Sequence, residues 1–273
     1  MTNLIKTTVI KPFAFQIILA VLFSVAYGQT ASDDADWIPL FNGRNLDGWT
    51  VKIAGQPISE NIHNTFRVED GILKVSYDEY EKFDMQFGHI FTNLAYSHYI
   101  LRLDYKIVGS GLPDAPHWTN FNSGVMIHAQ SPQSMLVEQG FPVSIEGQFL
   151  SEGATAGTQT GNAVTPGTHI VVYGKLTTEH VIDSDSELFP LDTWVTFEVE
   201  VHGNEVIIHR VNGEEVIRYS QPQLDDTDAD AKRLLAMGAD RQLSYGFIAL
   251  QGEGQPIWFK NIRLKVLSPD ARD

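Results

Sequence analysis

The sequence predicts an all-β protein that folds as a two-sheet antiparallel β-sandwich. Apolar and polar residues alternate with period 2 through most of the chain after Trp37, which is the pattern of strands with one buried face. Short turns such as Gly203-Asn204 and Asn212-Gly213 separate successive alternating runs, as they do in β-hairpins. About a dozen strands at this spacing, without the strand–helix rhythm of a parallel sheet, favour a sandwich.

Alternating runs locate the individual strands. In residues 197–202, three apolar side chains alternate with three polar ones, which predicts a half-buried strand. The two turns then lead into apolar runs at residues 206–208 and 215–219, so these three strands are expected to form a β-meander. The other predicted strands span residues 65–68, 72–77, 88–92, 99–107, 123–129, 143–149, 245–251 and 257–266.

One helix and two long loops complete the predicted domain. The helix is expected from Asp228 to Met237, because acidic residues lie at its start and Gly238 follows its end. Glycine-rich and polar segments interrupt the strands at residues 109–121 and 151–167. Loops of that length in a β domain are more often functional than idle, so we expect both to contribute to function.

Residues 1–28 carry the pattern of an export signal. Lys6 and Lys11 precede an apolar run, and small residues close the run at Ala26-Tyr27-Gly28. A membrane anchor is the alternative, but a run of about 15 residues is shorter than the roughly 20 that a spanning helix needs. The sequence therefore predicts cleavage after Gly28, a flexible N-terminus at residues 29–36, one domain at residues 37–267, and a periplasmic or secreted location.

Composition and charge narrow the classes of partner. The chain of 273 residues is 43% hydrophobic and 19% charged and has no cysteine, which is typical of a folded soluble protein without thiol chemistry. Without Lys6 and Lys11, 17 basic and 34 acidic side chains give a net charge of −17. Such a surface repels nucleic-acid backbones and anionic lipid headgroups. We therefore expect no nucleic-acid partner, and no membrane insertion after signal removal.

The run 143–149 holds the strongest candidate for chemistry. Strand alternation sends Glu146 and Gln148 to one face of the sheet and the apolar residues between and beside them to the other. In a cleft, Glu146 could transfer a proton and Gln148 could bind a sugar hydroxyl. The alternative, that both are ordinary solvated strand residues, is equally open at this point.

His128 is a second candidate for proton transfer. Gly124, Met126 and His128 share one strand face, which would be the face of Glu146 if the two strands are neighbours. A histidine beside a carboxylate can act as an acid or a base near neutral pH. A packed histidine remains the more common role on a strand.

Other candidates would bind substrate. Gln251 and Glu253 share one parity at the end of the run 245–253, where a strand would reach the mouth of a cleft. Trp118, in the loop 109–121, could stack on the apolar face of a sugar ring. His89 and His169 are weaker candidates for substrate binding. The other tryptophans are expected in the core, at positions Trp37, Trp49, Trp194 and Trp258.

Signatures of several other chemistries are missing. The chain has no phosphate-binding loop, no Gly-x-Ser-x-Gly elbow and no His-Glu-x-x-His motif. No pair of its histidines and carboxylates has a spacing diagnostic of a metal site. The sequence therefore identifies no cofactor and no metal ligand, and it leaves a bound divalent cation as an open alternative.

Seven short motifs follow one another in a recognisable order. They are FNGRNLDGW at 41–49, VEDGIL at 68–73, NSGV at 122–125, IEGQ at 145–148, VNG at 211–213, GFIALQ at 246–251 and FKNI at 259–262. Their order and spacing, from about Trp37 to Val266, resemble the 3-keto-disaccharide hydrolase family. The resemblance implies a concanavalin A-like, laminin-G-like jelly roll and cleavage of glycosides whose C3 hydroxyl has been oxidised to a ketone.

The resemblance also implies a chemical logic. A ketone at C3 acidifies the C2 proton, so the glycosidic oxygen can leave by elimination before water adds. Glu146 would be the acid or base, and Gln148 and Gln251 would hold hydroxyls. Strand parity alone supports His128 as the counterpart of Glu146. His169 or a bound cation would polarise the ketone.

Two readings of the candidate site remain alternatives to this one. Laminarinase-type glycanases carry Glu-x-Asp-x-x-Glu on one strand, whereas here the next acid after Gln148 is Glu152, which disfavours hydrolysis of an unmodified glycan. A non-catalytic carbohydrate-binding module would use the same face without turnover. An oligosaccharide or glycoside is the expected partner of both the enzyme and the module.

Overall fold

The computed structural model describes residues 36–269. In chain order, its strands are β1 (Trp37–Pro39), β2 (Trp49–Ile53), β3 (Phe66–Glu69), β4 (Ile72–Val75), β5 (Gly88–Thr92), β6 (His98–Ile107), β7 (Asn122–Ala129), β8 (Ile145–Leu150), β9 (Ala163–Val164), β10 (Thr168–Val172), β11 (Lys175–Thr177), β12 (Val181–Ile182), β13 (Val195–His202), β14 (Val206–Val211), β15 (Glu214–Leu224), β16 (Phe247–Gly252) and β17 (Ile257–Val266). One α-helix, α1 (Ala229–Ala236), lies within the described residues.

These strands form two antiparallel sheets. The larger sheet has ten strands, in the order β11-β10-β15-β14-β13-β6-β17-β4-β3 with β1 paired to β17. The smaller sheet has seven, in the order β12-β9-β8-β7-β16-β5-β2. Apolar side chains from both sheets form one continuous core between them. The predicted two-sheet antiparallel β-sandwich is confirmed.

The two sheets differ in how their outer faces are covered. Along β6 and β13, buried residues alternate strictly with half-exposed ones, so the outer face of the larger sheet meets solvent. Every residue of β5, β7 and β8 is buried, because loops cover the outer face of the smaller sheet. Polar residues on that covered face therefore line an enclosed site.

The helix prediction is confirmed to within one residue at each end. Asp228 caps α1, because its Oδ1 accepts a hydrogen bond from the backbone N–H of Ala231. Gly238 follows the helix with a positive φ of 93°, the usual conformation after a helix end. In residues 36–269, no helix is long and apolar enough to cross a lipid bilayer.

Three tryptophans expected in the core lie on the outer face of the larger sheet instead. Trp258 sits between two buried neighbours on β17, so strand alternation turns its ring outwards. Lysine and arginine side chains stack on these rings at 4.0–5.3 Å from the ring centroids, an arrangement stabilised by cation–π attraction. The three are Trp37, Trp194 and Trp258, and the fourth, Trp49, is buried as expected.

Other predictions fall outside the structural description. The export signal at residues 1–28, its cleavage after Gly28, and all but the last residue of the predicted N-terminal segment 29–36 lie outside the described residues.

Gly147 allows the two sheets to approach each other behind the candidate site. A Cβ at this position would lie 2.6 Å from Cζ of Phe197, whose ring is buried and packs edge-on against Phe149. We therefore expect Gly147→Ala to lower the free energy of unfolding by about 1–3 kcal/mol, as overpacking does elsewhere. Urea denaturation measures this. In a double-mutant cycle with Phe197→Leu the two losses should be less than additive, and full additivity would contradict the steric explanation.

Candidate functional site

The covered face of the smaller sheet gathers the polar candidates. Strands β8, β7, β16 and β5 lie side by side in that order. Their core-facing residues belong to the main apolar cluster, so the alternate residues point to the covered face. Glu146 and Gln148 on β8 therefore share this face with Gln251 on β16, and Glu253 follows directly after β16. We call it the polar face.

Glu146 occupies the centre of the polar face. It lies opposite Met126 on β7, and its carboxyl group leans over the neighbouring Gly124. A Cβ at position 124 would collide with Oε1 of Glu146, so glycine is required for this close approach. Gln251 donates a side-chain hydrogen bond to Glu146 from the other side. The carboxyl group is thus held in one place, and Glu146 is only 5% exposed.

Glu253 brings a second buried carboxyl group to Glu146. It is 1% exposed, and its Oε1 has no hydrogen-bond partner in the protein. Burial raises the pKa of Glu146 to about 8, against the opposing effect of the hydrogen bond from Gln251. Burial and then repulsion from Glu146 raise the pKa of Glu253 well above its ordinary value. At neutral pH the pair therefore retains at least one proton.

A cavity of about 440 Å³ opens above these carboxyl groups. Trp118, Phe141, Pro166 and His180 form parts of its wall. Its polar lining consists of Asn122, Glu146, Gln148, Gln251 and Glu253, besides His180. Both long loops predicted from the sequence, at 109–121 and 151–167, contribute residues to this wall. A cavity of this size holds a small-molecule ligand.

Several polar atoms at the cavity lack partners within the protein. Oδ1 of Asn122, Oε1 of Gln251 and Oε1 of Glu253 are buried and accept no hydrogen bond. Gln148 differs, because its Oε1 accepts a 3.0 Å bond from Asn162 and its orientation is thereby fixed. Buried polar groups are nearly always paired in native proteins. Ligand hydroxyl groups would satisfy the acceptors that Asn122 and Glu253 leave open.

The expected pairing of His128 with Glu146 is wrong. His128 has a positive φ of 48°, and the register between β7 and β16 shifts beside it. This irregularity turns the ring away from the polar face, so that Nε2 lies 2.9 Å from the carbonyl oxygen of Gly203 in the β13–β14 turn. Burial lowers the pKa of His128 to about 4, and the ring is therefore neutral. His128 cannot serve as the counterpart of Glu146 from this position.

The remaining predicted residues divide between the cavity and its surroundings. Trp118 lines the cavity, with its ring stacked 5.7 Å from that of Phe87. His89 lies on the polar face but is fully buried, with the ring of Phe141 edge-on at 5.7 Å. His169 does not line the cavity of Glu146. It lies on β10 of the larger sheet, with Nε2 3.4 Å from Oδ1 of Asp225, and lines an adjoining cavity of about 540 Å³.

Sequence reasoning assigned no role to several residues of the cavity wall, Phe141 and His180 among them. Phe141 and His180 lie in connecting segments, where no periodicity marks a side chain as facing a site. The sequence analysis also treated Glu253 as a substrate-binding residue. It looked for a carboxylate partner of Glu146 only on the same strand, β8. Among residues 36–269, no three histidine, aspartate or glutamate side chains come together as a metal-ion site would require.

Two solved structures resemble this chain at low sequence identity. A candidate glycosyl hydrolase from Parabacteroides distasonis ATCC 8503, solved at 2.00 Å, is 19% identical with a TM-score of 0.51, over 85% of this chain and 99% of that one. Another structure described in the same way from that organism, at 1.70 Å, is 19% identical with a TM-score of 0.49, over 85% and 94% of the two chains. At 19% identity, the likeness to the 2.00 Å structure shows a similar fold and nothing about function.

The comparison with protein families is more specific. No curated protein matches the chain. The family model described as the 3-keto-alpha-glucoside-1,2-lyase-like domain matches residues 36–265. This match confirms the resemblance carried by the seven short motifs, and the chain belongs to that family.

Proposed function

We propose that the protein cleaves the glycosidic bond of 3-keto-glycosides, 3-keto-disaccharides among them, by elimination followed by hydration. The observation that carries this proposal is the buried pair of carboxyl groups, Glu146 and Glu253, on one wall of the cavity. The family assignment supports a carbohydrate-active function. Two carboxyl groups whose environment favours sharing a proton can act as base and acid in one reaction.

In the elimination, ionised Glu146 takes the proton from C2 of the ketosugar, and the electron pair of the C–H bond moves towards the C3 ketone. The C1–O bond then breaks as the C1–C2 double bond forms, and protonated Glu253 gives its proton to the departing oxygen. Water adds to the resulting enone, with its hydroxyl group at C1 and a proton returned to C2 by Glu146. Glu253 takes the remaining proton of the water, so both carboxyl groups regain their starting states.

The cavity wall supplies the binding contacts that this reaction needs. Gln148 is held by Asn162 with its amide group free to donate to a sugar hydroxyl. The open acceptor of Asn122 would take a hydroxyl proton. Trp118 and Phe141 offer aromatic surface suited to the C–H face of a pyranose ring. The ring would thereby be oriented with its C2 proton towards Glu146.

A non-catalytic carbohydrate-binding module is the second candidate. The open hydrogen-bond acceptors and the aromatic wall would serve a lectin equally well. What favours the enzyme is the raised pKa of both carboxyl groups, because binding a neutral sugar does not require two buried acids at one point.

The first test is an assay of the purified protein against a 3-keto-disaccharide and its unoxidised parent. We expect monosaccharide release from the ketosugar and none from the parent, because only the ketone acidifies the C2 proton. Parallel reactions with a chelator test for a divalent cation. Release from neither sugar, with binding retained in calorimetry, would contradict the enzyme and support the module.

A further inference from the structure

A row of polar side chains on β2, β5 and β16 leads across the polar face to Glu146, which lies on β8 beyond β7. Lys52 on β2 lies opposite His89 on β5, and His89 lies opposite Gln251 on β16. Gln251 in turn donates to Glu146. Side chains directly opposite each other on neighbouring strands have Cβ atoms about 4.5–5.5 Å apart. By this spacing Lys52, His89 and Gln251 are close enough to form one chain. Glu146 lies one strand further, on β8, and reaches Gln251 across Gly124 of β7, which has no side chain in the way.

Unsatisfied atoms lie at the middle of this row. His89 is 0% exposed, and neither of its ring nitrogens has a hydrogen-bond partner. Oε1 of Gln251 is also buried without a partner. Lys52 is 3% exposed, and its ammonium group donates to the carbonyl oxygens of Ile53 and Val137, both at 2.8 Å, which leaves a third N–H. Three unpartnered atoms, both ring nitrogens of His89 and Oε1 of Gln251, thus lie in the same row as an N–H of Lys52 that has no acceptor.

The chemistry of the side chains allows only one direction for hydrogen bonds along this line. An ammonium group only donates, a carboxylate only accepts, and a neutral imidazole or a carboxamide does both. In a chain that follows this direction, Lys52 would donate to one nitrogen of His89, the other nitrogen of His89 would donate to Oε1 of Gln251, and Nε2 of Gln251 donates to Glu146. This arrangement would satisfy all three unpartnered atoms at once.

We propose that Lys52, His89 and Gln251 form a hydrogen-bonded relay that carries the positive charge of Lys52 to Glu146 and favours its ionised form. Lys52 and His89 are then positioning residues, since neither lines the cavity. The value of the relay to catalysis rests on the proposed function, in which ionised Glu146 is the base. Its effect on the ionisation of Glu146 does not depend on that function.

The environment of His89 fits this role. Burial, together with the nearby charge of Lys52, lowers the pKa of His89 to about 3, so the ring is neutral and keeps one donor and one acceptor. Burial also lowers the pKa of Lys52, while Glu138 beside it acts in the opposite direction. The other titratable groups that face Glu146 are Glu253 and His180, and the variants below leave both unchanged.

The test compares variants that break the relay with variants that preserve it. Lys52→Met removes the positive charge. His89→Leu removes the hydrogen-bonding link between Lys52 and Gln251, and the two phenylalanine rings beside position 89 would accept the apolar leucine side chain. Lys52→Arg and His89→Gln keep the required donors and acceptors. The primary measurement is the pKa of Glu146, from the carboxyl carbon resonance of the full-length protein during a pH titration.

We expect both relay-breaking variants to raise the pKa of Glu146 by about 0.5–1 unit, less than the 1–3 units of a direct charge contact. In the conservative variants Lys52→Arg and His89→Gln, the pKa of Glu146 should stay close to its wild-type value. If the wild type is active on a 3-keto-disaccharide, the rising limb of its pH–kcat profile should move to higher pH by the same amount, with KM changed less than about twofold.

An unchanged pKa of Glu146 in folded His89→Leu would overturn the relay, whatever Lys52→Met does to stability. A purely structural role of Lys52 or His89 would lower the melting temperature without moving that pKa. An inactive wild type whose Glu146 still shifts in the variants would contradict the proposed function and leave the relay standing, so the two failures are distinguishable.

Discussion

Replacing Glu146 with glutamine is expected to lower kcat on a 3-keto-disaccharide by about 10²–10⁴-fold, the usual contribution of a positioned proton-transfer group. Glutamine has nearly the same shape and can still lie over Gly124, but it cannot take the C2 proton. The equilibrium dissociation constant should change little, since a neutral amide keeps the polar contacts to the sugar. A large loss in kcat with binding retained identifies a group that acts on the reaction.

Three measurements check this expectation. Steady-state kinetics give kcat, calorimetry gives the dissociation constant, and exchange of the C2 proton with deuterated solvent reports the first step alone. Glu152→Gln is the matched control, because Glu152 is an exposed carboxylate just beyond the same strand and should be replaceable without effect. Exchange and turnover that persist in Glu146→Gln would show that another group is the base.

Glu253→Gln is expected to lower kcat by a similar factor for a different reason. Burial, and then repulsion from ionised Glu146, raise the pKa of Glu253, so ionisation of Glu146 favours the protonated form of Glu253. A protonated carboxyl and an amide are both neutral, and the ionisation of Glu146 should change little. What the variant loses is the proton for the departing oxygen.

The acid role of Glu253 is tested with a series of aryl 3-keto-glucosides whose leaving groups differ in pKa. Good leaving groups depart without protonation, so Glu253→Gln should be nearly normal on them and progressively slower on poor ones. Loss of activity that is uniform across the series would contradict the acid role and indicate a disturbed cavity.

The same substitution has a stability consequence with a definite sign. Because folding raises the pKa of Glu253, the native state holds a proton that the unfolded chain releases, and stability is lost as the pH rises from about 4.5 through the folded pKa. Glu253→Gln removes this loss. Its free energy of unfolding should exceed that of the wild type by a margin growing from pH 5 to pH 9, reaching about 1–3 kcal/mol. Urea denaturation across this range measures it, and a margin independent of pH would contradict the raised pKa.

Local patterns in the chain were enough to predict much of this protein. Alternation at 143–149 placed Glu146 and Gln148 on one face and the residues between and beside them on the other, because successive side chains of a strand point in opposite directions. The same rule identified Gln251 and Glu253 and most of the strands. Capping residues located α1 in the same way, since these signals operate within a few residues.

Neighbour order, register and covering loops were decided only by the tertiary structure. Alternation states which face a side chain takes, but it does not state that β16 lies beside β7 and so brings Glu253 to Glu146. One register irregularity turned His128 to the opposite side, although its parity matched that of Met126. Pairing between strands depends on long-range hydrogen bonds and core packing, and these involve residues more than 100 positions apart in the chain. The site of this protein is made of such contacts, so a pattern that extends over a few residues does not contain it.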